Sequence, residues 1–326
     1  MTLPSSGSIS LDQMHVEVDG SSGSSCSIND ADIRGLIDKA DGAQSAFNEF
    51  YGASNITHIA ASGGSTTTSG DYKFHYFTSS GTFTVNTAGA GGSAYTDIDY
   101  IIIAGGGAGG GVAGGGAGAG GYRTGTLTMS AQGYAITVGA GGAQAINEPT
   151  NGADSSIAST TATGGGRGSD NYSTRVAALS GGSGGGGGRQ YTSGASGTAG
   201  QGNAGGDTTG GGSPGAGGGG KGAVGADKQA TGTYGNPGAG GDGSSTGNAN
   251  YNGATRGGGG GGGVYISGSE AAGGSGGGGA GGRSDDEGDP GTANTGGGGG
   301  GGYEYFSYMG GNGGSGIVMI RYKYQN

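Results

Sequence analysis

The chain has 326 residues, of which 96 are glycine, with five prolines, one cysteine, no tryptophan and 11% charged residues. Glycine falls in blocks such as 257–263 and 296–302 and not at every third position, which excludes collagen. The net charge of −10 with no basic patch argues against nucleic acid as a partner. A lone Cys26 excludes an internal disulfide framework. The opening Met1-Thr2-Leu3-Pro4-Ser5-Ser6-Gly7 carries no signal-peptide pattern, and the apolar runs fall short of a membrane span.

Residues 1–54 read as a small α/β module of ordinary glycine content. His15-Val16-Glu17-Val18 alternates as a strand does, and 19–25 is a loop. Asn29 or Asp30 caps a helix presenting Ile33, Leu36 and Ile37, with Gly42 as its end, and Phe47, Phe50 and Tyr51 follow at helical spacing. So small a unit buries little apolar surface, which predicts docking against a partner or a copy of itself.

Residues 55–104 read as a β-rich connector. Tyr72–Phe77 and Thr82–Val85, joined by Ser79-Ser80-Gly81, predict a hairpin. Asp99-Tyr100-Ile101-Ile102-Ile103-Ala104 is apolar on both faces and predicts a strand covered on both sides. A second hairpin is predicted from Thr126–Met129 and Tyr134–Val138. Gly316–Tyr322 is a second apolar strand, expected to pair with or near 99–104 and so close the glycine region into one unit.

Residues 105–326 form the glycine-rich domain, with blocks at 105–111, 114–121, 164–168, 184–188, 210–220, 257–263, 273–282, 296–302 and 310–316. Gly/Ser-rich sequence commonly behaves as flexible linker. Here the regular block spacing and the bracketing strands argue for order. A block in the extended left-handed helix of three residues per turn makes no internal hydrogen bonds, so its backbone groups point outward toward neighbours. With no Cβ, such helices pack hexagonally through backbone hydrogen bonds. The fold class predicted is thus a small α/β N-terminal module and a β-rich section leading into a polyglycine type II helix sandwich closed by β-strands, low in α-helix overall. Ala108, Ala113, Ala117 and Ala119 are expected at block boundaries or outer faces. Chain-reversing loops emerge at both ends of the slab, half of them at one tip.

Candidate binding residues lie in or beside these loops: Tyr172, Arg175, Tyr191, Tyr234, Tyr251, Tyr265, Asp285, Asp286 and Tyr305, with Tyr303, Phe306 and Tyr308 nearby. The spans 169–180, 189–201, 221–237 and 283–295 are the main candidates. Tyrosine gives large contact area at small entropy cost, and Ser, Gly and Asn add adaptable hydrogen bonds. The competing reading has these tyrosines packing on the slab flanks.

Catalytic and cofactor motifs fail on context. Gly105-x-Gly107-x-x-Gly110 follows a strand, but 111–121 cannot form the required helix and no acidic residue follows at the ribose position. Gly217–Gly222 lacks the Ser/Thr after Lys221 that a phosphate loop needs. His15, His58 and His75 have neither metal nor triad spacing. Asp285-Asp286-Glu287-Gly288-Asp289 lacks a calcium-loop pattern and reads as a solvated acidic loop, with ion binding as the alternative. The expectation is no enzyme and no cofactor.

Several segments carry a family resemblance. Leu3–Leu11, Ser27–Arg34 and Phe50-Tyr51-Gly52 resemble an N-terminal module recurrent in phage virion proteins. Lys73–Val85, Tyr100–Gly107, Gly120–Arg123, Ile136–Gly142 and Gly314–Tyr322 resemble the glycine-rich domain of phage tail proteins. The slab is similar to that of tail-fibre adhesins of T-even-like phages. The resemblance implies a virion location, a tail fibre or tail tip, with 1–54 bound to other tail proteins. It also implies a host-surface glycan or outer-membrane protein as target, and a homo-oligomer is possible on this reading. The alternative is a virion adaptor or decoration protein that binds no receptor.

Overall fold

The computed structural model describes residues 3–37, 39, 44–53, 55–91, 93–145, 147–172, 175–191, 193–208, 214–229, 236–245, 251, 253–304 and 308–325. In the N-terminal module the described elements are helical: α1 (Leu11–Glu17), α2 (Ala31–Gly35) and a 3₁₀ turn at Phe47–Phe50. The strand expected at 15–18 is instead the end of α1 and its cap. Ser10 and Gln13 form a reciprocal capping box, and Leu11, Met14 and Val18 recur at helical spacing toward the module's core. That spacing, anchored by fully buried Met14, outweighs the two-residue alternation. Leu3, Met14, Ile33 and Phe50 make the core. Asp30 occupies the N-cap position of α2, but its carboxylate accepts from the Ser27 amide and not from the helix. Gly42 lies outside the described residues.

Among the described residues ten strands follow: β1 (Ala60–Ser62), β2 (Ser65–Ser69), β3 (Tyr72–Phe77), β4 (Gly81–Thr87), β5 (Asp97–Ile103), β6 (Tyr122–Thr128), β7 (Gly133–Thr137), β8 (Ser155–Ile157), β9 (Thr160–Ala162) and β10 (Ile317–Lys323). A short helix, α3 (Ser93–Thr96), precedes β5. They form two antiparallel sheets, ordered β1-β4-β7-β8-β9 and β2-β3-β10-β5-β6. Both predicted hairpins are corrected: β3 and β4 lie in different sheets, and so do β6 and β7. Each short link crosses between sheets because the apolar rows must face each other across the core. Phe77 of β3 and Phe83 of β4 meet edge to face, 6.5 Å between ring centres, among Val85, Ile102, Ile136, Val318 and Ile320.

The closing strand pairs as expected. β10 runs antiparallel to β5, with Ile317 opposite Ile103 and Met319 opposite Ile101. β5 is covered on both faces. Ile98, Tyr100 and Ile102 enter the sandwich core, while Ile101 and Ile103 join Phe74, Tyr122, Met319 and Tyr251 on the other side. His75 is fully buried on the sandwich side, edge-on to Phe83 and stacked on Tyr322. Its Nδ1 lies 2.6 Å from the Gly63 carbonyl and its Nε2 3.2 Å from the Tyr322 hydroxyl.

Between β5 and β10 lies the glycine lattice. In helix 104–111 the amides of Ala104, Gly107 and Gly110 donate to Gly121, Gly118 and Gly115; those of Gly105 and Ala108 to Ala153 and Thr150; those of Gly106 and Gly109 to Gly314 and Gly311. A step of three residues returns to the same neighbour, as the three-residue turn requires. The carbonyls supply three further directions. Gly105 and Ala108 accept from Gly165 and Gly168, Gly107 and Gly110 from Gly299 and Gly302, and Gly106 from Gly142. One helix is thus bonded to six surrounding segments, and 114–121 is held in the same way by 163–169, 216–219, 296–299, 104–110, 183–186 and 260–263.

Close approach leaves little room for side chains. A Cβ added at Gly109 would lie 1.9 Å from the Gly300 oxygen, and one at Gly107 2.3 Å from the Gly166 oxygen. Ala113 lies at a block boundary, in the turn between helices 105–111 and 114–121, but Ala108, Ala117 and Ala119 correct the expectation: they lie inside blocks and are fully buried, not on outer faces. Consecutive residues of a three-per-turn helix face different neighbours, so the restriction is positional, and a methyl is admitted at Ala108 between two positions that exclude one.

Two predictions follow from this packing. Gly109→Ala is expected to lower stability by about 1–3 kcal/mol through overpacking. Gly81→Ala is expected to be near neutral, because its added Cβ meets only the Phe77 ring at 3.8 Å; calorimetric melting compares the two. Burial lowers the His75 pKa below its ordinary 6.5. The unfolded chain therefore binds the proton more readily than the native one. Stability is full above about pH 6.5 and is lost as pH falls from there toward the depressed native value, and His75→Gln is expected to flatten that part of a melting-temperature profile.

Candidate functional site

The hydrogen-bond register assigns each loop to an end of the slab. Helix 105–111 leaves β5 and helix 114–121 returns to β6, so the turn at 111–114 marks the end away from the sandwich. Val112 and Ala113 take positive φ values of 55° and 52° to make that turn. Two neighbours hold it. Asp170 Oδ2 accepts from the Gly111 amide at 2.7 Å and its Oδ1 from the Tyr172 amide at 2.8 Å. Asn171 Nδ2 donates to the carbonyls of Val112 at 3.3 Å and Ala113 at 3.1 Å, and its Oδ1 accepts from the Gln190 amide at 2.9 Å. Asp170 is fully buried. Burial raises its pKa, opposed by the two amides and by Arg167.

Helices 164–171, 183–188, 257–263, 278–282 and 296–302 all climb to this same end, since their residue numbers rise in step with, or antiparallel to, the two central helices as that geometry demands. The loops that follow them therefore gather into one tip. It holds six of the nine candidate residues: Tyr172, Arg175, Tyr191, Tyr265, Asp285 and Asp286. Tyr172 and Tyr265 are half-buried, while Arg175, Tyr191, Asp285 and Asp286 are exposed. Tyr234 and Tyr305, with Phe306, lie outside the described residues.

Arg189 organises part of the tip. Its guanidinium sits 4.5 Å from the centre of the Tyr265 ring and pairs with Glu304. Burial raises the Glu304 pKa, and Arg189 opposes the rise. The Tyr303 hydroxyl donates to the Ile266 carbonyl at 2.9 Å, and the Tyr303 and Tyr308 rings lie 6.2 Å apart. Asp285 and Asp286 line a cavity of about 560 Å³ with Glu270, Arg283 and Glu287. Arg283 bonds Glu270 across it at 3.3 Å. Among the described residues, no three His, Cys, Asp or Glu side chains converge to hold a metal ion.

Tyr251 is a correction. It lies at the opposite end, 2% exposed, with its hydroxyl donating to the Asp99 carbonyl at 2.9 Å. Its ring meets Phe74 edge-on at 5.6 Å. In sequence Tyr251 lies between a descending helix, 236–243, and an ascending one, 256–263, and its ring sits on the outward face of β5 and β10. That face presents Ile101, Ile103 and Met319, which Tyr251 covers. The candidate spans also need dividing. Within 169–180, 189–201, 221–237 and 283–295 lie further lattice-bonded segments near Val176–Leu179, Ala195, Gly225-Ala226 and Gly288–Gly291. Consequently 198–201, 221–224 and 292–295 turn at the sandwich end. Arg189, Glu304, Asp170 and Asn171 were not singled out in sequence, although Ser169-Asp170-Asn171 and Arg189 each sit where a glycine block stops.

A glycine-rich domain family model, Gly_rich_2, matches residues 78–323, and the chain belongs to this family. Among curated proteins none matches the chain.

Asp170→Ala would orphan two amides at the central turn, so a loss of about 1–3 kcal/mol is expected. The same variant should raise hydrogen exchange at Gly111 and Tyr172 selectively, which amide-resolved exchange measures.

Proposed function

We propose that the chain is a non-enzymatic structural protein of a bacteriophage tail, at the fibre or tip, that recognises the host surface through loops between polyglycine helices. One observation carries the reading: six chemically varied candidate residues share one end of a rigid lattice, away from the strands that close it. A rigid scaffold presenting Tyr, Arg and carboxylates limits the ordering cost of binding. The partner fitted by such a surface is a host glycan or outer-membrane protein. Residues 1–54 dock to other tail proteins in this reading, in keeping with the resemblance of that module to virion proteins.

The second reading is an adaptor or decoration protein whose tip packs against neighbouring subunits. Half-burial of Tyr172 and Tyr265, and the engagement of Tyr265 by Arg189, favour it to that extent. Particles carrying Tyr191→Ser, Arg175→Ser and Asp285→Ser/Asp286→Ser discriminate the two. Receptor recognition predicts normal assembly with at least a tenfold loss of adsorption, as hot-spot removal gives. Normal adsorption of assembled particles would sink the receptor reading, and failed assembly would favour the adaptor.

A further inference from the structure

At the sandwich end, β6 is an edge strand of its sheet, and a cleft runs along it. Its first lobe, about 480 Å³, is lined by Tyr122, Arg123, Thr124, Gln201 and Lys221 together with the Ala199-Gly200 turn. Its second lobe, about 250 Å³, shares Thr124 and continues past Gly125 and Thr126 to Tyr251 and Arg321. From Tyr122 to Thr126 a strand spans roughly 13–16 Å, which suits an extended chain better than a single small ion.

The two lobes differ in charge. In the second, Arg321 is paired with Asp99 at 2.8 Å. In the first, among the described residues, no carboxylate lines the cavity and neither Arg123 nor Lys221 has an acidic partner. Arg123 Nη1 donates to the Thr161 carbonyl at 3.1 Å and Lys221 Nζ to the Gly200 carbonyl at 2.8 Å. Both cations thus retain donors, in a chain whose net charge is −10. Lys221 is part-buried, and desolvation lowers its pKa, the cost that a bound anion would offset. The remaining lining is hydroxyl, amide and backbone, the chemistry that meets sugar hydroxyls. A strongly acidic chain disfavours nucleic acid as the occupant.

We propose that this cleft binds an acidic oligosaccharide, with a sugar carboxylate held between Arg123 and Lys221 and adjoining sugars lying along Thr124 and Thr126. The site is at the end opposite the tip and stands independently of any role for the tip loops.

The test is titration of the full chain with trigalacturonic acid, with a neutral trisaccharide and inorganic phosphate as comparison probes, read by calorimetry and by ligand-observed NMR. Trigalacturonic acid is expected to bind at millimolar to submillimolar concentration, more weakly as salt is raised. The double variant Arg123→Gln/Lys221→Gln is expected to weaken it by roughly tenfold or more. Thr124→Phe, which blocks the cleft without touching either cation, is expected to abolish binding with an unchanged melting temperature. Absence of binding, or binding that both variants leave intact, overturns the proposal. Inorganic phosphate binding as tightly as the trisaccharide would also overturn it, by reducing the cleft to a simple anion site.

Discussion

The structure depends on one interaction, the hydrogen bond between backbones of neighbouring polyglycine helices. Each is worth about 0.5–1.5 kcal/mol net, and glycine loses more backbone freedom on ordering than any other residue. An isolated helix of this kind gains nothing from its own bonds. Helix 105–111 becomes stable because it is bonded in six directions, so order is a property of the bundle and not of any block. The same fact explains why the strands matter. β5 and β10 fix the first and last helices in register through their own ladder, and Ser155 ties the two regions by accepting from Gly139 and donating to Ile103.

The broad plan was readable in the sequence because its signals are local. Blocks of glycine announce the helices, and the apolar runs at 99–104 and 316–322 announce strands covered on both sides. The errors arose where long-range packing decides. The β3–β4 and β6–β7 links have the length and composition of hairpin turns, and only the need for Phe77 and Phe83 to meet across a core sends them between sheets. Glycine density also under-reported the lattice. Segments such as Val176–Leu179 join it while carrying side chains, because an outer helix needs bare backbone only toward its neighbours.

The candidate site was readable in composition and less so in position. Tyrosines between blocks were found, but whether a loop turns at the tip or at the sandwich depends on counting short lattice segments that have no glycine signature. Tyr251 shows the consequence: a tyrosine in a Gly/Asn-rich loop became cover for Ile101 and Met319. Asp170 and Asn171 were missed because their role is defined by the turn at Val112 and Ala113, far away in sequence. The two ends consequently carry different kinds of chemistry. The tip offers the exposed Tyr191 ring, Arg175 and carboxylates, whereas the sandwich end offers a cleft in which Arg123 and Lys221 lie apart from the paired Arg321.

A lattice without side chains also has a distinctive thermal character. Unfolding a conventional core exposes hydrocarbon and raises heat capacity, while exposing peptide groups lowers it. Helices such as 105–111 and 257–263 bury amides and little else. Their melting therefore carries a small heat-capacity change for its size, which flattens the free-energy curve against temperature. Such a slab holds its shape over a wider thermal range, on the cold side as well as the hot, than a hydrophobic core of equal stability at its optimum.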